Sequence, residues 1–188
     1  MAEQGEAEVR ITRAWAMPNH STFEVEPIAR LIGRYIGTGR WVDPFARTSR
    51  FARFCEATND LDPAMPTTHH MEALDFLRQF EEASVDGVLF DPPYSPRQIS
   101  ECYQQVGRAV HTEDTQSSFY GDRKREVARI VRPGGIAMCF GWNSGGIGER
   151  NGFDLVEVLI VAHGGAHNDT IVTVERKKSG LFDVMEAA

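Results

Sequence analysis

Asp91-Pro92-Pro93-Tyr94 follows directly on the apolar run Val85 to Phe90. Such a run reads as a buried parallel strand, and in open α/β sheets ligands bind beyond the carboxyl ends of the strands. Two consecutive prolines fix two φ angles and remove two backbone donors. The turn is therefore stiff, and its carbonyls are free to accept hydrogen bonds from another molecule. A carboxylate, a free carbonyl and an aromatic ring held together suit a flat ligand with an amino group on its edge. A nucleobase is such a ligand.

An exocyclic amino nitrogen is a poor nucleophile because its lone pair is delocalised into the ring. Hydrogen bonds from its two hydrogens to Asp91 and to the Pro92 carbonyl would draw the nitrogen toward tetrahedral geometry and free that pair for attack. No covalent intermediate is needed, and none of Cys55, Cys102 and Cys139 follows a proline in the way a nucleophilic Pro-Cys pair would. The contribution asked of the protein is positioning and electrostatics.

The elements that must hold this tetrad are legible in the spacing of the apolar residues. Ile28, Leu31, Ile32, Tyr35 and Ile36 recur at helical intervals, with Pro27 at the first turn and Gly37 at the end. Trp41-Val42 is a short strand running into Asp43-Pro44-Phe45-Ala46. Ser49 is expected to cap a helix carrying Phe51, Phe54 and Cys55, and a second short strand to end at Thr58-Asn59-Asp60. A third strand is expected at His69 to Ala73, a helix at Leu74 to Phe80, the tetrad strand at Val85 to Phe90 and a helix from about Pro96 to Val106. Gly107 to Asp122 is polar and reads as a mobile loop. Arg123 to Arg132 reads as a helix stopped by Pro133-Gly134-Gly135, and strands at Ile136 to Phe140, Leu155 to Ala162 and Thr170 to Val174 close the chain. Alternating helices and strands with short links predict an α/β fold: a single doubly wound, mostly parallel sheet with an antiparallel last strand.

The 188 residues suit one domain with a sizeable core. Residues 1–10 are acidic and polar and are expected to be disordered, leaving 11–188 as one catalytic domain. No apolar stretch is long enough to span a membrane. Three widely spaced cysteines give neither a disulfide framework nor a zinc knuckle, so a reduced, cytoplasmic setting is expected. The neighbours His69 and His70 point to opposite sides of a strand and cannot readily share one ion, so no metal site is expected. His163, His167 and Asn168 lie in a turn between the last strands, either lining a pocket or simply satisfied there. Trp142 to Gly146 reads as a Gly-rich turn rather than a phosphate cradle.

The formal charge of −7 argues against a protein that holds nucleic acid by bulk electrostatics. The distribution is uneven, however. Six arginines and one acid, Asp43, fall between Pro27 and Cys55. Arg47 and Arg50 of that run, with Arg97 beyond the tetrad, are the candidate phosphate contacts; solvated helix faces are the competing reading.

The tetrad resembles the Asp-Pro-Pro-Tyr signature of the amino-group DNA methyltransferases, which methylate adenine N6 or cytosine N4 with S-adenosylmethionine. Three other segments resemble that family in the same order along the chain. Asp43-Pro44-Phe45 resembles the segment that cradles the methionine part of the cofactor. Phe23 and Pro27-Ile28 resemble the segment packing on the cofactor, and Glu72-Ala73 sits where the family places an acid near the adenine. Asp60, after the second strand, is suited to accept both ribose hydroxyls. The resemblance covers about Trp15 to Arg176 and implies a Rossmann-like methyltransferase domain. Asp91, Pro92, Pro93 and Tyr94 would form the catalytic turn, and Tyr94 would stack on a base flipped out of DNA.

Two features depart from the family. Arg47-Thr48-Ser49 occupies the stretch where glycines usually follow Asp-Pro-Phe. No gap between motifs holds a target-recognition domain, so sequence preference would come from loops, a homodimer or a specificity partner. The resemblance implies DNA adenine-N6 methylation. Its alternatives are N4-cytosine or RNA methylation, protein glutamine methylation, or an inactive partner subunit.

Overall fold

The computed structural model describes residues 8–109, 117–165 and 167–179. Seven strands form one sheet: β1 (Arg10–Trp15), β2 (Trp41–Asp43), β3 (Cys55–Thr58), β4 (Val85–Phe90), β5 (Val131–Gly141), β6 (Phe153–Ala162) and β7 (Thr170–Lys177). Their order across the sheet is β1-β6-β7-β5-β4-β2-β3. β7 runs antiparallel to both β5 and β6, and every other pairing is parallel.

The pleat sends alternate side chains of the central strands into two cores. Leu89, Met138 and Phe140 face one way, against Ile28, Leu31 and Ile32 of α1 (Glu26–Tyr35). Val88, Phe90, Ala137 and Cys139 face the other, against Phe76 and Leu77 of α2 (Ala73–Arg78) and Val127 and Ile130 of α4 (Ser117–Ile130). Both faces are thus covered, as a parallel sheet requires. α3 (Pro96–Gln105) leaves the tetrad with Ser95 as its cap, whose hydroxyl accepts from the Gln98 N–H at 3.3 Å.

Several expectations are corrected. Strand β1, which the apolar spacing did not reveal, begins at Arg10, the last residue of the segment expected to be disordered, and pairs in parallel with β6; residues 1–7 lie outside the described residues. Ser49 caps no α-helix: its hydroxyl accepts from the Phe51 N–H in a turn, and only a short 3₁₀ segment precedes β3. The strand expected at His69 reduces to a single bridge between Asn59 and His69. Of the expected loop, residues 110–116 lie outside the described residues, whereas α4 already starts at Ser117 because Phe119 and Tyr120 dock on Ile99 and Tyr103 of α3. The helix also ends two residues early, at Ile130, because Val131 already pairs with Val85 in the sheet.

Candidate active site

Because β2, β3 and β4 are parallel neighbours, Asp43, Asp60 and Asp91 all come off the same edge of the sheet. Between these strand ends lies a cavity of about 450 Å³. Its wall includes Thr22, Phe23, Phe45, Arg47, Arg50, Asp60 and all four residues of the tetrad. Nine residues expected at the site from the sequence therefore line one space.

The tetrad is held from several sides. The Tyr94 hydroxyl donates to Asp91 Oδ1 at 2.5 Å and lies 3.2 Å from the Thr22 hydroxyl. The Tyr94 N–H donates to Gln98 Oε1 at 2.6 Å, and the Tyr120 hydroxyl donates to the Pro93 carbonyl at 2.7 Å. Pro92 is buried in the wall of the cavity, and no hydrogen bond from a described residue is made to its carbonyl. The Tyr94 ring meets Trp142 edge to face, 5.6 Å between centroids. Burial pushes the Asp91 carboxyl up to about 6, although the Tyr94 hydroxyl pulls it down in part. Burial likewise drives the Tyr94 phenol well above its ordinary value, and the adjacent Asp91 charge adds to this.

Asp43 lies under the cavity rather than in its wall. Its Oδ1 accepts from the Phe45 N–H at 3.0 Å, while its buried Oδ2 has no hydrogen-bond partner among the described residues. Burial holds this carboxyl well above the usual carboxylate range. Pro44 is buried too, and its carbonyl accepts from the Asn59 amide at 3.1 Å. The same amide donates to the Met71 carbonyl at 3.0 Å and accepts from the Met71 N–H at 3.1 Å. Asn59 thereby fixes the turn after β2 to the chain beyond β3. Asp60 is half-buried and raised in pKa by burial, against which the Asp62 N–H donates to its Oδ1 at 2.8 Å.

Arg47 settles what became of the missing glycines. Its φ is +45°, the left-handed backbone that a glycine adopts without cost and another residue adopts at about 1–2 kcal/mol. The turn keeps the glycine-like path with an arginine in it.

Besides Asp43, four expected residues stand outside the cavity wall. Pro27, at the first turn of α1, borders a separate groove with Arg30 and Arg34. Pro44 is described above. Arg97 is exposed on α3 and pairs with Glu101 at 2.8 Å. Glu72 is outside the cavity wall: Tyr103 and Arg123 donate to its Oε2 at 3.1 and 3.0 Å, and Arg108 pairs with its Oε1. This carboxylate ties the head of α2 to α3 and α4.

The two open motifs also resolve. His163 is buried, with its ring nitrogens 2.9 Å from the Ala16 carbonyl and 2.8 Å from the Thr170 hydroxyl. Within the turn after Trp142 the Gly145 N–H donates to Asn143 Oδ1 at 2.9 Å, and just beyond it Ile147 and Gly148 donate to the buried Glu175 carboxylate at 2.6 and 2.8 Å. The sequence reading gave no site role to Thr22, Gln98, Asn59 or Tyr120. Of these, only Thr22 carried a signal, as the residue before Phe23.

No family model and no curated protein sequence matches the chain. Solved structures do. A SAM-dependent methyltransferase from Archaeoglobus fulgidus superposes with TM-score 0.54 at 11% identity, covering 81% of this chain and 92% of that one. The 1,6-didemethyltoxoflavin-N1-methyltransferase of Burkholderia thailandensis, solved with 1,6-didemethyltoxoflavin and S-adenosylhomocysteine, gives 0.53 at 16% identity, over 80% and 76%. TrmN from Thermus thermophilus gives 0.53 at 18% identity over 81% of this chain, which spans 49% of that protein. The fold is that of the Rossmann-like methyltransferases. No three described His, Cys, Asp or Glu residues are grouped to hold a metal, and no described helix is long and apolar enough to cross a membrane.

Proposed function

We propose that the chain is an S-adenosylmethionine-dependent DNA methyltransferase acting on the N6 amino group of a flipped-out adenine. The observation that carries this reading is the convergence of Asp91-Pro92-Pro93-Tyr94 and Asp60 on one cavity at the carboxyl edge of a methyltransferase-type sheet.

The residues present fit the cofactor. Asp60 offers acceptors for ribose hydroxyls, Phe23 and Phe45 offer apolar surface, and the cavity is within the size range of small-molecule sites. When bound, the cofactor supplies an electrophilic methyl group on a positively charged sulfur. The protein's part is to present the target nitrogen. Ionised Asp91 accepts one amino hydrogen and the Pro92 carbonyl accepts the other. The prolines and the contacts from Gln98 and Tyr120 keep both acceptors in place without reorganisation. Tyr94 and Trp142 offer ring surface beside them for the base.

Incubating the protein with labelled S-adenosylmethionine and mixed DNA and RNA, followed by nucleoside mass spectrometry, tests the reading. Methyl transfer to adenine N6 of DNA is expected. Asp91→Ala is expected to abolish transfer while S-adenosylmethionine binding, measured by calorimetry, stays nearly intact. Loss of both together would place Asp91 on the cofactor instead of on the amine.

A further inference from the structure

We propose that the Arg47 guanidinium is the carboxylate anchor of the cavity, holding the α-carboxylate of the cofactor's methionine part. The proposal rests on the S-adenosylmethionine reading above and names a contact that the sequence reading did not, since there Arg47 was placed with the phosphate contacts.

The cavity wall is rich in acid: Asp60, Asp62, Asp91 and Glu101 line it. The ammonium of a methionine-type ligand suits such a wall, but its carboxylate is disfavoured there without a fixed cation beside it. Two arginines line it. Arg50 is paired with Glu24 at 3.5 Å. The Arg47 side chain makes no ion pair or hydrogen bond with any described residue. Its charge nevertheless reaches the groups around it, lowering the pKa values of Asp60, Asp91 and Cys102 against their burial.

Position decides between the carboxylate of a small ligand and a nucleic-acid phosphate. Arg47 stands two residues after Phe45, and Ala46 between them is pinned by its N–H to the Asn59 carbonyl at 2.9 Å. The backbone of Arg47 also acts on the Asp60 carboxylate. The guanidinium thus springs from the Asp60 side of the cavity, where the nucleoside of the cofactor is read, and its left-handed backbone sets the direction in which the side chain leaves the turn. A planar guanidinium suits a carboxylate because it can donate two parallel hydrogen bonds.

Two probes separate this contact from the rest of the site. S-adenosylhomocysteine carries the carboxylate; 5′-methylthioadenosine shares the adenosine and the thioether and lacks the amino-acid end. Calorimetry with wild type, Arg47→Gly and Arg47→Lys is the experiment. Arg47→Gly keeps the left-handed turn and removes only the side chain, and thermal melting verifies that it folds. It is expected to weaken S-adenosylhomocysteine by about tenfold or more, the equivalent of a charge-assisted hydrogen bond, and to leave 5′-methylthioadenosine unchanged. Arg47→Lys should recover part of the loss. Equal losses for both ligands, or no loss for either, would overturn the assignment, as would unchanged S-adenosylhomocysteine binding with weakened DNA binding. Wild type binding neither ligand would instead overturn the cofactor reading itself.

Discussion

In the proposed reaction Asp91 accepts a hydrogen bond from an amine, while its own surroundings favour the protonated acid. Burial lifts its carboxyl to about 6, and the Tyr94 hydroxyl, donating at 2.5 Å, opposes that lift. The ionised form is the active one, so transfer should rise with pH through about 6 and level off above it. Tyr94→Phe removes the opposing donor, so the rise should move to higher pH; a profile left in place would detach Tyr94 from the acid. The same group affects folding with a definite sign. Its folded pKa lies above the unfolded value, so stability is fullest below pH 4 and falls as pH rises through about 6. The full effect is roughly 2–3 kcal/mol at 1.36 kcal/mol per unit, and Asp91→Asn should flatten that part of the stability curve. The tetrad was legible from sequence because prolines and an acid after an apolar run can mean few things. The bond between Tyr94 and Asp91 was not, because two residues three apart in a turn meet only if the backbone brings them round.

At the scale of elements, the site depends on β2 and β4 lying side by side in register, since β2 ends at Asp43 and Asp91 follows directly on β4. Gly87 makes that approach possible. A Cβ there would stand 2.6 Å from the Trp41 ring on the neighbouring strand, which is buried and cannot swing away. Gly87→Ala should therefore cost about 1–3 kcal/mol, the range for overpacking a core, read as a lowered denaturation midpoint. A midpoint unchanged from wild type would mean that Trp41 has room to move. β4 itself matched its sequence-based boundaries because six residues with little polarity between turn signals fit only a buried strand. β1 went unread for the opposite reason. Arg10, Ile11, Thr12 and Arg13 are exposed on an edge strand, so no buried face shaped their pattern. The helix expected after Ser49 failed because aromatic spacing alone cannot distinguish a helix from a tight turn whose rings pack into the core, as Phe51 does against Phe23.

For the whole molecule, net charge and cavity geometry together bear on the product. A chain of charge −7 gains little from long-range attraction to DNA, so contacts near the cavity must carry recognition. Those contacts come from short segments of the wall, around Arg47 to Arg50 and Tyr94 to Gln98, with Trp142 edge to face against Tyr94, and no inserted domain among the described residues reads a longer stretch. The modified sites should accordingly share a context of only a few bases when the protein acts alone, and a longer shared context would require a second subunit or a specificity partner. The base follows from the same surfaces. A purine presents its amino group from a fused two-ring plane, and the Tyr94 and Trp142 rings beside Asp91 offer more contact to that plane than cytosine could use. Together with the acid at the head of the tetrad, this favours N6-methyladenine. Digestion of DNA treated with the protein and S-adenosylmethionine should yield N6-methyladenine as the main modified nucleoside. N4-methylcytosine in its place would reverse the base assignment while leaving the Asp91 mechanism standing. Methyl groups found only on protein would sink the nucleic-acid reading, because the Asp91 and Pro92 acceptors would then be serving an amide.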